Sequence, residues 1–307
     1  MIEGWREFVR SNFIYSFSRA PVAIGSFVIA SSLILFAIAA PFISPYTPYD
    51  PATLNLMNGF SAPLAPNAFT GDVFIFGSDD QGRDILSTIL FGMRISLFVG
   101  FSAVFLAMIL GVALGLVAAM AGGVIDAIIM RVADIQLSFP SILIAMLIYG
   151  IAKGITPPEM RNEVAIWVLI LSIGLSDWVQ FARVVRGSAM VELQKEYVEA
   201  AKLIGVNRVA IAFRHIFPNV VPSVLVIATI SLALAIISEA TLSFLGVGAP
   251  PTQPSLGTLI RIGQGFLFSG EWWIIFFPSL ALLLLALSVN LLGDWLRNTL
   301  NPNVGIK

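Results

Sequence analysis

The 307-residue chain is 58% hydrophobic and only 11% charged, against roughly 25% charged in an ordinary soluble domain. Its formal net charge of −1 is spread over short polar segments, so it points to no nucleic-acid partner. Cysteine is absent, which excludes disulfides, thiol catalysis and thiolate metal sites.

Residues 1–19 set Trp5, Phe8, Phe13 and Tyr15 among arginines, the pattern of a segment lying in the plane of a membrane interface. A helix needs about 20 apolar residues to cross the hydrocarbon core. Runs free of Asp, Glu, Lys and Arg cover residues 20–44, 95–125, 135–152, 216–238 and 272–293, and a sixth, 164–182, carries only Asp177. Backbone groups in lipid must be paired internally, and continuous apolar runs without alternation favour helices over a barrel. The expectation is an all-α membrane protein with six transmembrane helices. Ala37-Ile38-Ala39 has the look of a signal-peptide cleavage site, but the apolar run continues to Ser44, so 20–44 is expected to stay as an anchor.

The loop 45–94 is the longest outside a membrane helix and is rich in Pro, Asn and Gly. Asp79, Asp80 and Asp84 lack the alternate spacing and twelfth-position Glu of a calcium loop, and read as a turn and helix cap. From 95 to 300 follows a core of five membrane helices. Gly111, Ala113, Gly115, Ala118 and Ala119 suit close helix packing. Gly122-Gly123 and a polar step with Asp126, Arg131 and Asp134 join the second and third helices, and Pro140 sits near the start of the third.

The loop 187–219 is polar and long for a lipid-embedded chain. Met190, Leu193, Tyr197, Ala201 and Ile204 recur at helical spacing, while Glu192, Lys195, Glu196, Glu199 and Lys202 take the opposite face, with Lys195–Glu199 as an i,i+4 pair. Gly205 is placed to stop that helix in a left-handed conformation. A second run, 206–214, leads to Phe217-Pro218-Asn219 and the next membrane helix. His215, the single histidine, has no partner residues for a metal or general-base role, and reads as a solvent or partner contact.

Glu239 and Asp177 are the acidic residues nearest membrane depth. Such residues are candidates for lining or gating a passage, and packing against neighbouring helices is the competing expectation. Beyond Glu239, Pro250, Pro251 and Pro254 precede a less polar stretch, 256–268, suited to a short surface helix. Trp272 and Trp273 then stand where an aromatic belt is expected. With the N-terminus inside, twelve of the 17 Lys and Arg fall in inner segments and five in outer ones. That bias puts both termini and the 187–219 loop in the cytoplasm.

Glu199-Ala200-Ala201, then three residues, then Gly205, with Pro218 thirteen positions later, resembles the coupling loop of permease subunits in ATP-binding-cassette importers. This chain has Phe217 where that family often shows Leu. Phe76-Gly77-Ser78-Asp79-Asp80-Gln81-Gly82-Arg83-Asp84 followed by Gly92-Met93-Arg94-Ile95-Ser96-Leu97 is similar to the dipeptide, oligopeptide and nickel permease branch, as its C-type subunit. So are Leu242-Ser243-Phe244-Leu245-Gly246 with Pro250 to Gly257, and Asp294-Trp295-Leu296-Arg297 with Pro302.

The resemblance implies the type I importer permease class in the bacterial inner membrane. It implies a second homologous permease, two ATPase subunits and an extracytoplasmic solute-binding protein as partners. Cargo would be di- or oligopeptides, with nickel or another small solute as the alternative. No G-x-x-x-x-G-K-[ST] loop is present, so no catalytic residue, metal or cofactor is expected here; ATP and Mg2+ belong to the partner subunits. A secondary transporter would show inverted repeats and charged midplane residues, and neither is found.

Overall fold

A computed structural model describes residues 15–50, 54–250 and 252–300. Trp5, Phe8, Phe13, Pro251 and Pro302 lie outside them. Among the described residues five helices are long and apolar enough to cross a membrane, within Pro21–Ile43, Ile85–Ala121, Pro158–Glu192, Arg208–Phe244 and Trp273–Thr299. Gly123–Leu137 and Ser141–Ile155 pass the same test together as a pair bent by 96°, which makes six if the pair is one span. In chain order the helices are α1 (Pro21–Ile43), α2 (Ile85–Ala121), α3 (Gly123–Leu137), α4 (Ser141–Ile155), α5 (Arg161–Glu192), α6 (Glu196–Leu203), α7 (Arg208–Ile211), α8 (Phe217–Phe244), α9 (Leu256–Gln264) and α10 (Trp273–Leu300).

Two boundaries differ from the charge-free runs. Helix α2 begins at Ile85, ten residues before 95, because Asp84 caps it there: its Oδ2 accepts the Ser87 N–H at 2.8 Å and the Ser87 hydroxyl at 2.5 Å. Arg94 sits on an exposed position of that helix and does not interrupt it. The polar step after Gly122-Gly123 is itself helix α3. Both glycines are left-handed (φ 62° and 52°), a conformation costly for other residues, so α2 ends sharply there. The α3–α4 bend falls at Pro140, which disfavours helix for Phe139 and has no N–H to donate.

The chain divides into two compact units, residues 1–99 with 236–307, and residues 100–235. In the second unit, the small residues of α2 admit α5: a Cβ on Gly111 would lie 2.4 Å from the Phe181 Cβ, and one on Gly115 2.6 Å from the Ala182 carbonyl oxygen. Three polar residues of α3 find partners on α5. Asp126 pairs with Arg186 (Nη2–Oδ2 2.6 Å), Asp134 with Arg183, and Gln136 receives the Trp178 Nε1–H at 2.9 Å while donating to the Leu175 and Ser176 carbonyls. Ala133, Trp178, Val179 and Ala182 form the core beneath them.

In the first unit, α1 packs against α10, and α9 packs against α10. The segment before α2 is folded: Asp79 and Arg83 form a buried ion pair at 2.6 Å, and the Trp273 Nε1–H donates to the Ser78 carbonyl at 3.1 Å. Trp273 is therefore an interior residue, whereas Trp272 is half exposed, so only one of the pair is free for an interfacial belt.

Candidate functional site

The 187–219 segment is a helix, a corner and a second helix, all within one unit. Helix α5 runs to Glu192, and the chain then turns through Leu193–Lys195, closed by Gln194 N–H to Val191 O (3.2 Å) and Lys195 N–H to Glu192 O (3.1 Å). Because Lys195 sits in the turn with extended backbone, it cannot form the expected pair with Glu199; its Nζ meets Glu192 Oε1 at 2.6 Å instead. The apolar face of α6 is correspondingly rotated. Val198 and Ala201 are buried, while Leu203 and Ile204 are 88% and 80% exposed.

Glu199 and Ala200 are exposed beside this apolar tip, and Ala201 faces inward. Gly205 ends α6 at φ 81°. The Gly205 N–H reaches Lys202 O (3.1 Å) and the Val206 N–H reaches Ala201 O (3.0 Å), the paired bonds of a Schellman stop. Asn207 then caps α7 by accepting the Val209 N–H at 3.1 Å.

The second run does not end before the next membrane helix. A five-residue π segment, Ala212–Ile216, joins α7 to α8 without a break. Pro218 explains it: proline has no N–H for the carbonyl four residues back and its ring crowds that carbonyl, so the turn widens. Pro218 thus sits in the first turn of α8, and the α7–α8 helix runs from Arg208 to Phe244.

A polar clip not legible in the sequence ties α6 to its neighbours. The Tyr197 hydroxyl donates to Glu192 Oε2 at 2.5 Å, and Asn219 Nδ2 donates to the Tyr197 oxygen (3.2 Å) and the His215 carbonyl (2.6 Å). Partial burial and the Glu192 carboxylate together push the Tyr197 phenol up to about 12, so it stays a donor. His215 is half-buried, its ring 6.2 Å from that of Tyr197.

Asp177 and Glu239 belong to different units. Asp177 is half-buried on α5 and accepts from Ser176 at 3.2 Å. Glu239 is fully buried on α8 and accepts the hydroxyls of Ser96 (2.6 Å) and Ser243 (2.7 Å), so it is a packed residue that lines no open surface of this chain. Among the described residues no three His, Cys, Asp or Glu side chains come together as a metal site.

Apolar helices long enough to cross a membrane, with a bent pair held by ion pairs, fit a multi-pass helical membrane protein. The family of binding-protein-dependent transport system inner membrane components matches residues 111–306, and the N-terminal transmembrane domain of oligopeptide transport permease C matches residues 4–66. Similar proteins include the dipeptide transport system permease protein DppC of Haemophilus influenzae (35% identical, 88% of this chain and 86% of the relative). The glutathione transport system permease protein GsiD of Pectobacterium atrosepticum is 37% identical over 98% of this chain and 91% of its own length. The oligopeptide transport system permease protein OppC of Bacillus subtilis is 34% identical over 92% and 86%. The chain belongs to the family of binding-protein-dependent transport system inner membrane components, multi-pass proteins of the inner membrane and not ATPases.

Proposed function

We propose that this chain is one of two permease subunits in an ATP-driven importer of short peptides, and that the Glu199–Gly205 corner is where partner ATPases push on it. The observation that carries this reading is the corner itself. Exposed Leu203 and Ile204 stand at the tip of a short helix whose other side is buried and whose end is fixed by a left-handed glycine. A rigid, apolar-tipped element facing water is what a docked partner covers.

The basic-residue bias supports a cytoplasmic position for this corner and both chain termini, with residues 45–94 outside. ATP and Mg2+ are held by two ATPase subunits, and a solute-binding protein delivers cargo from the other side. When the ATPases close, displacement of α6 passes through the Glu192–Tyr197–Asn219 clip to α5 and α8 together, which rocks the permease pair between its two states. Peptide cargo is supported by the names of the relatives, which span dipeptide, glutathione and oligopeptide systems.

The test is uptake of labelled di- and tripeptides and of nickel by vesicles holding the chain with its genomic neighbours, with and without internal ATP. ATP-dependent peptide uptake is expected, along with loss of uptake and of bound ATPase in Glu199→Ala. Uptake that ignores ATP, or that carries nickel and no peptide, would sink the reading.

A further inference from the structure

The buried carboxylate of Glu239 does more than pack. Its two oxygens accept the hydroxyls of Ser96 from α2 and Ser243 one turn further along α8, and Ser255 at the N-cap of α9 bonds the carboxyl as well. Each serine oxygen then accepts a backbone N–H from the segment after α8: Leu256 N–H to Ser96 at 3.2 Å, Ala249 N–H to Ser243 at 3.2 Å. A hydroxyl has one hydrogen and two lone pairs, so spending the hydrogen on Glu239 leaves both serines as acceptors toward the loop. Leu256 is the first residue of α9, and its N–H is among those a helix start leaves unpaired.

The two bonds bracket the proline-rich loop 250–254, one on each side. The backbone runs close enough at both ends to need glycine: a Cβ on Gly248 would lie 2.2 Å from the Ser243 Oγ, and one on Gly257 2.2 Å from the Ala240 carbonyl oxygen. Glu239 and Ser96 are wholly inaccessible and Ser243 nearly so, so no water replaces a lost partner.

We propose that Glu239 is a positioning residue whose carboxylate fixes the direction of two serine hydroxyls and thereby staples both ends of the 249–256 loop, holding α9 in place for transport. The staple stands on geometry alone; its consequence for transport rests on the permease reading. A carboxyl group offers acceptor lone pairs on both oxygens. A carboxamide offers them on one, so Glu239→Gln should loosen one end of the loop and Glu239→Ala both.

The chain has no native cysteine, so a single introduced one reports one site. In the purified full-length chain with its partners, maleimide labelling of Ala249→Cys reads the buried end of the loop, and Thr252→Cys, already exposed, serves as control. Glu239→Ala should speed labelling at 249 about tenfold, and Glu239→Gln less, with the rate at 252 unchanged. Ser243→Ala should speed it as well, whereas Ser96→Ala, which frees only the Leu256 end, should not. Should Glu239→Ala fail to assemble, the Ser243→Ala and Ser96→Ala contrast decides alone. Equal rates at 249 in all variants would overturn the staple. Faster labelling with unchanged peptide uptake would overturn its role in transport, while a parent protein that imports no peptide overturns the permease reading instead.

Discussion

Asn219, in the first turn of α8, donates to the Tyr197 hydroxyl on α6 at 3.2 Å while holding the His215 carbonyl at 2.6 Å. The same hydroxyl gives its hydrogen to Glu192 at the end of α5. One phenol therefore joins two membrane-spanning helices through the short helix between them. The His215 carbonyl belongs to the π segment and accepts this side-chain amide there.

Tyr197→Phe removes the joint and keeps the ring. Each lost hydrogen bond is worth about 1 kcal/mol, less at this half-exposed position. Folding and ATPase co-purification are expected to survive, with peptide uptake per ATP hydrolysed falling about threefold. Equal coupling ratios in parent and variant, measured in proteoliposomes, would remove the clip from the force path.

Gly205→Ala tests the corner. No atom lies within 4 Å of a Cβ added there, so the penalty is purely conformational, about 1 kcal/mol for holding an L-residue left-handed. Gly205→Asn should cost less and Gly205→Val more, because asparagine tolerates this region and β-branched residues do not. Bound ATPase after affinity purification should follow the order Gly, Asn, Ala, Val.

Leu203→Asp changes a side chain that touches little of its own chain, being 88% exposed. Stability of the isolated chain should move by no more than about 0.5 kcal/mol. If a partner buries this tip, the introduced charge is desolvated there and binding should weaken at least about tenfold. Titration of the ATPase against wild type and variant in detergent gives the answer.

What was legible in the sequence was whatever depends on local chemistry. The apolar runs, the Gly205 stop, the Asp84 cap and the close-packing glycines of α2 each follow from one residue type in its own neighbourhood. Features that depend on a distant partner were not. Lys195 pairs backward to Glu192 because the chain turns at Leu193, a break that helical periodicity alone does not show. Asp126 and Asp134 looked like part of a connecting step, yet they are the pins of a helix, matched to Arg186 and Arg183, 60 and 49 residues away. Tyr197 and Asn219 carried no motif. Glu239 was readable as a membrane-depth acid, but only the serines around it separate a staple from a passage lining.

Gly115→Val would push a side chain into α5, where the Ala182 carbonyl oxygen is 2.6 Å and the Val185 Cβ 2.9 Å from the new Cβ. Overpacking of this kind costs about 1–3 kcal/mol. Gly187→Ala, on a helix position with nothing within 4 Å, should be neutral or stabilise by up to about 1 kcal/mol. Thermal unfolding in one detergent should therefore fall for Gly115→Val and hold or rise for Gly187→Ala relative to the parent.

Asp84 gives a pH signature. Burial raises its carboxyl above the ordinary 3.8, against hydrogen bonds from Ser87 and Leu86 that pull it down. The folded chain then holds this proton more tightly than the unfolded chain. Its contribution to stability is full below 3.8 and declines as pH rises through the raised value. Asp84→Asn, neutral throughout, retains an acceptor for the Ser87 N–H and removes the decline. Other carboxylates titrate in both proteins, so the quantity to measure is the difference in unfolding temperature between Asp84→Asn and parent from about pH 4 to 7. That difference should move in favour of the variant as pH rises. A constant difference would mean that the Asp84 carboxylate is as comfortable in the cap as in water.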